Sequence, residues 1–182
     1  TFANTGSLDN SGVITGDPYG VVGGGTITNS GTLHGTVAGV NFTSDGTINN
    51  SGVISGDQYG AVIGAGTIIN TGTIIDAGIA GASLGSGGTL DNDTGGLVAG
   101  TVGAVFTGTG ASLTNNGTIT GTSGVAVQFD AGVNTFTIGT GSVLNGAVDG
   151  GSGAGIVKFA GTGSIANTFA NFGAGSAIDI TS

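Results

Sequence analysis

The sequence predicts an all-β protein: a right-handed, single-stranded, three-sided parallel β-helix (a β-solenoid), forming one unit over positions 1 to 182. It comprises about eight coils, each of roughly 19–25 residues. Three observations carry this. A short phrase recurs every twenty-odd positions along most of the chain. Glycine supplies 43 residues and proline one, while the helix formers Glu, Met and Arg are missing. Between the glycines, short runs of Val, Ile, Thr and Phe alternate with polar residues, as half-buried strands do.

The repeat is plainest in Leu8-Asp-Asn-Ser-Gly-Val-Ile-Thr-Gly16, Ile27-Thr-Asn-Ser-Gly-Thr-Leu-His-Gly35 and Ile48-Asn-Asn-Ser-Gly-Val-Ile-Ser-Gly56. Its first apolar position falls at Leu8, Ile27, Ile48, Ile68, Leu90, Leu113 and Ile138, and the step lengthens slowly along the chain. An eighth copy is decayed and lies around Ile165 and Ile178. The period is too short for an ankyrin or tetratricopeptide unit, and it lacks the apolar helix those need.

Each lap divides into three strands. The first carries the anchor residue. The second follows the Asn-Ser-Gly turn and places Ile14, Leu33, Ile54, Ile74, Val98, Ile119 and Val143 in the core. The third lies in the variable stretch: Gly20–Val22, Gly39–Thr43, Ala61–Ile63, Ala104–Phe106, Val125–Phe129 and Ile156–Phe159. Alternation there points Val40 and Phe42 inward with Asn41 out, Val127 and Phe129 inward with Gln128 out, and Val157 and Phe159 inward with Lys158 out.

The corners have their own chemistry. Asn10, Asn29, Asn50, Asn70, Asn92 and Asn115, with Gly12, Gly31, Gly52, Gly72 and Gly117, suit a tight turn because Asn and Gly tolerate positive φ. If the coils stack, the asparagine amides align into a ladder, as in cross-β structures. Tyr19 and Tyr59 recur two laps apart, which puts them on one face at about 10 Å.

Charge excludes several functions. All ten acids are Asp, the only strong base is Lys158, and the net charge is −9, so phosphate counterions cannot be displaced and no nucleic-acid partner is expected. Without cysteine there are no disulfides.

Candidate chemistry is sparse, and no catalytic, cofactor-binding or metal residue is assigned. The Asp residues are spread along the rod in turns, where they bond their own backbone; a glycosidase needs two that converge. Asp91-Asn-Asp93 is the one loop with the ligands to chelate a hard cation. The stretch Gly150–Ile156 resembles a calcium-binding nonapeptide, but Gly155 stands at its aspartate position. His34 occupies the outward site held elsewhere by Thr15, Ser55 and Thr120, with no Ser or Asp expected in register. Threonines are expected to scatter between faces, which disfavours an ice-binding rank.

The Asn-Ser-Gly phrases, the Gly/Thr/Asn/Val/Ile composition and the stretch Phe129–Gly151 followed by Phe159-Ala-Gly-Thr-Gly163 together resemble the passenger region of bacterial autotransporters of the type V secretion class. Filamentous haemagglutinin-like adhesins of two-partner secretion are the nearest competitor. The resemblance implies a β-helical stalk exported through an outer-membrane translocator barrel and held at the cell surface or released. A signal peptide and that barrel would lie outside these residues, so the chain reads as a fragment of a longer passenger. The expected role is structural and adhesive, a stiff stalk with an extended contact surface for host-cell, matrix or same-cell surface molecules. The alternative is a self-assembling extracellular filament joined end to end through open strand edges. A polysaccharide-active β-helix enzyme is the less favoured third reading.

Overall fold

The computed structural model describes residues 6–130, 132–161 and 167–181. Nineteen strands join into one sheet, and every pairing in it is parallel. No helix is present among the described residues. The chain is a parallel β-solenoid of about eight turns whose strands stack in three columns, as the repeat predicts.

Register defines the first column. Leu8, Ile27, Ile48, Ile68, Leu90, Leu113, Phe136, Val157 and Ile178 are successive Cα partners. On the second face the inward series is Ile14, Leu33, Ile54, Ile74, Val98, Ile119 and Leu144. The third face stacks Val21, Val40, Ala61, Ala82, Ala104, Val127, Val148 and Phe169. Three apolar series meeting along one axis remove each coil's inner face from water, which no coil achieves alone. From Ile27 to Ile119 the predicted anchors of the first two faces are fully buried, while Leu8 and Ile14, in the first coil, are only partly covered.

Three expectations near the C-terminal end are corrected. Leu113 pairs with Phe136, so Ile138 is buried two positions along, opposite Asn115. That lap is therefore two positions shorter than the anchor at Ile138 implies. Val143 pairs outward with Thr118 and is 47% exposed, while its neighbour Leu144 fills the core against Ile119. A strand's side chains alternate faces, so a one-residue error exchanges inside for outside. Strand Ile156–Ala160 also moves. It pairs with Thr135–Gly139 and belongs to the first face, not the third. Its alternation holds, with Val157 buried, Phe159 partly buried and Lys158 exposed. Ile178 takes its place in the anchor column, whereas Ile165 lies outside the described residues.

The asparagine ladder forms. Asn10 Nδ2 donates to Asn29 Oδ1 at 2.7 Å, and the same bond repeats from Asn29 to Asn50, Asn50 to Asn70, Asn70 to Asn92 and Asn92 to Asn115 at 2.7–2.8 Å. The remaining N–H capacity goes to backbone carbonyls: Asn50 Nδ2, for example, also donates to Thr73 O at 3.1 Å and Gly52 O at 3.3 Å. Buried amides satisfied in this way avoid the penalty of lost hydration and fix the register of the corner.

The corner glycines have a different cause from the expected one. None of Gly12, Gly31, Gly52, Gly72 or Gly117 has positive φ. What they need is room. A Cβ on Gly52 would collide with the carbonyl oxygen of Gly31 in the coil below, and Gly31, Gly72 and Gly117 are blocked by the preceding corner in the same way. A Cβ on Gly12 would meet nothing. Gly96, which the repeat pattern passes over, fills this place in the coil that begins at Leu90.

Candidate functional site

Whatever this rod contacts must meet the outward columns, because the interior is filled. On the first face the outward residue before each anchor runs Ser7, Thr26, Thr47, Thr67, Thr89, Ser112 and Thr135, all in direct register. The expected scatter of threonines is therefore wrong. Seven successive coils carry a hydroxyl in one rank, repeating at about the 4.8 Å strand spacing. The parallel outward column is mixed: Asp9, Thr28, Asn49, Ile69, Asp91, Thr114, Thr137, Lys158 and Asp179.

Beside the threonine rank the corner from the third face to the first carries a shallow depression open to solvent, lined by Thr26, Thr47, Thr67 and Thr89 with the small residues Gly25, Gly46 and Gly66. Its only charged lining residue is Asp45. A Cβ on Gly46 would strike the Phe42 ring in the core, and one on Gly66 would lie 2.5 Å from Gly46 O.

Tyr19 and Tyr59 share a column two coils apart with the fully buried Ala38 between them, as the echo between their phrases predicts. Both are half-buried. Asp17, two residues before Tyr19, accepts a bond from the Thr36 hydroxyl at 2.5 Å.

His34 has a neighbour that sequence reasoning misses. Thr15, His34 and Ser55 are successive partners on the second face, and His34 Nδ1 lies 3.0 Å from Ser55 Oγ. A nucleophile activated in this way also needs a group to orient the imidazole and donors for an oxyanion. Among the described residues no carboxylate hydrogen-bonds His34, and the pair lies on a flat sheet face.

Among the described residues no three His or Asp side chains are grouped to hold a metal ion. At the Asp91–Asp93 loop, burial raises the Asp91 carboxyl above its ordinary range; the Thr114 hydroxyl opposes this and the Asp93 charge reinforces it. Asp76 is more unusual. It stands in register with Gly56, where the three preceding coils have glycine, and both its oxygens are buried without a hydrogen bond of good geometry. Burial raises its pKa, and the nearby amides of Gly78, Ile79 and Thr101 only partly offset that. The absent Cβ of Gly100 is what leaves room for Asp76 Oδ1.

Comparison with protein-family models, with curated proteins and with solved structures finds no match to this chain.

Proposed function

We propose that the chain is a structural and adhesive segment of a surface-displayed or secreted bacterial β-helical protein, acting as a stiff spacer and as an extended contact surface. One observation carries this reading: the three core columns and the buried amide ladder hold register coil after coil, so the outward columns are straight and fixed relative to one another. Such a rod resists bending because every coil is bonded to the next along the axis. Eight coil spacings of about 4.8 Å make it about 40 Å long. The resemblance to autotransporter passengers, carried by the Asn-Ser-Gly phrases, supports display outside the cell through an outer-membrane barrel in the full-length protein. The net charge of −9 favours dispersal in water over self-association.

Negative-stain imaging and small-angle scattering of the purified chain, over a range of concentration, test this. Discrete short rods of that length that adhere to cell or matrix surfaces are expected. Regular fibres that lengthen with concentration would replace the stalk with the second reading, a filament built through the open strand edges.

A further inference from the structure

The second face differs from the rest of the surface in charge and in polarity. Its two outward columns run from Val13 to Val143 and from Thr15 to Asn145 in unbroken register, and they hold no Asp and no Lys. The carboxylates stand elsewhere: Asp9 and Asp91 on the first face, Asp149 on the third, Asp17 and Asp57 at corners. Asp76, where a second-face strand ends, has both oxygens buried. The same face leaves apolar surface uncovered. Val13, Val53, Ile75 and Val143 are each more than a third exposed. On the third face, by contrast, the outward Val22, Val62 and Val105 are partly covered.

The order of residues along this face selects the partner. Down the column from Val13, apolar residues alternate with threonine, and the column begins and ends on valine, so it has the same character read in either direction. A twofold axis lying in the face, along the strand direction at the level of Thr73, turns the column onto itself. Val13 then meets Val143, Thr32 meets Thr118, and Val53 meets Leu97. Thr73 meets its own copy, and so does Ile75 in the next column. An isologous contact needs this self-complementarity. Two flat sheets pack about 10 Å apart with their strands close to aligned, which this axis provides. Polar side chains in the second column already have partners within the chain: His34 Nδ1 lies 3.0 Å from Ser55 Oγ, and Asn145 Nδ2 donates to Thr120 Oγ1 at 3.0 Å. Covering them therefore strands few polar groups.

We propose that the second face pairs with the second face of another copy of this chain, the two rods lying antiparallel. The contact is about 30 Å long and, with the flanking corners, about 20 Å wide; its area of about 600 Å² per copy falls short of the roughly 800 Å² of a standard stable interface. The pair is therefore reversible. The net charge of −9 on each copy acts against it from a distance and is screened by salt. Growth stops at two, because the contact consumes the uncharged face and the first face carries Asp9 and Asp91. The pairing goes beyond the stalk reading and stands without it.

Sedimentation equilibrium of the whole chain, from micromolar to millimolar concentration and at low and high salt, tests this. A monomer–dimer equilibrium that shifts toward dimer as salt rises is expected. Ile75→Lys sets two ammonium groups against each other near the axis and should weaken the pair by about tenfold or more. Ile69→Lys makes the same change of charge at a residue of matched exposure, 36% against 39%, but on the first face, and should pair like the parent chain. Orientation is read separately, because the chain has no cysteine of its own. Val13→Cys and Val143→Cys proteins, mixed, should cross-link to each other through a short bismaleimide in preference to themselves. This second readout decides the matter if Ile75→Lys lowers the melting temperature. Monomer at every concentration, species that grow beyond two, equal sensitivity to both lysines, or cross-linking of Val13→Cys chiefly to itself overturns the proposal.

Discussion

Asn50→Asp is the sharpest probe of the fold, because it changes one atom in the middle of the ladder. Asn50 Nδ2 donates to Asn70 Oδ1, Thr73 O and Gly52 O, and Asn50 Oδ1 accepts from Asn29. A carboxylate placed there keeps the bond from Asn29 but sets a charged oxygen against three acceptors in a site only 2% exposed. The folded chain must then hold the proton that the unfolded chain has released. From an unfolded pKa of about 3.9 to pH 7 is about three units, and at about 1.36 kcal/mol per unit this costs about 4 kcal/mol. One carboxyl proton cannot serve all three acceptors, so a further cost of about 1–3 kcal/mol is independent of pH. The loss relative to the parent chain is therefore about 5–7 kcal/mol at pH 7. It shrinks by about 1.36 kcal/mol for each unit of acidification and levels off below about pH 4. Guanidinium unfolding of both proteins at half-unit steps from pH 3.5 to 7 measures it. A loss that does not change with pH, or one below about 1 kcal/mol at pH 7, would refute the claim that the buried amide is an obligatory donor.

Gly52→Ala should destabilise by about 1–3 kcal/mol through its clash with Gly31 O, whereas Gly12→Ala should change stability by less than about 1 kcal/mol, as measured by chemical denaturation. Leu144→Ala should cost about 2–5 kcal/mol and Val143→Thr less than about 0.5 kcal/mol, an ordering that reverses if Val143 is the core residue. Asp76 has a folded pKa raised above 3.8, so the native state keeps a proton that the unfolded state loses, and stability falls as pH rises through that interval. Asp76→Asn should therefore melt higher than the parent at pH 7, with the gap closing as pH falls below the unfolded carboxylate pKa; a gap constant from pH 3 to 7 would remove burial of the charge as the cause.

The first six coils are readable from the chain because each level of description repeats the others. In five of those six an anchor, one further residue, then Asn-x-Gly fixes the corner, and the corner fixes which of the next residues point inward; the Leu90 coil has Asn92-Asp-Thr-Gly-Gly96 in its place. Legibility fails where that phrase stops. After Asn115 no Asn-x-Gly marks the corner, so Ile138, a good strand residue, outranks Phe136 as the anchor and the error propagates to Val143. The cause expected for the corner glycines is wrong for a related reason. A turn's φ is local and follows from residue type, but a collision with the previous coil is not local and needs coordinates. The threonine rank escapes notice because a hydroxyl before the anchor is ordinary in any single coil; only alignment on the anchors exposes seven in a row. His34 and Ser55, far apart in the chain, become neighbours by the same alignment.

The end of the ladder marks a change in how the rod is held together. Asn115 Nδ2 finds no asparagine in the next coil and donates instead to Ser142 Oγ at 2.5 Å and to Gly117 O at 3.1 Å. A donor series in a buried column must end on an acceptor, or the last amide is left unpaired. Ser142 supplies that acceptor, and the column can then turn apolar, with Ile138, Phe159 and Ile180 following Asn115 in register. At the same level the interior becomes aromatic. Phe106 stacks on Phe129 with centroids 4.7 Å apart and planes 9° from parallel, and Phe129 also meets Phe136 at 6.4 Å and Phe172 at 6.1 Å. A hydrogen-bonded ladder demands the same residue at each level, whereas ring packing tolerates variation in position and size. That difference accounts for a corner asparagine that recurs in every coil up to Asn115 and in none beyond it. Because coils in a solenoid contact only their neighbours, the two regimes communicate only through the coils between Leu113 and Phe136. Sequence can therefore drift on the aromatic side without disturbing the straight threonine rank that the ladder side holds.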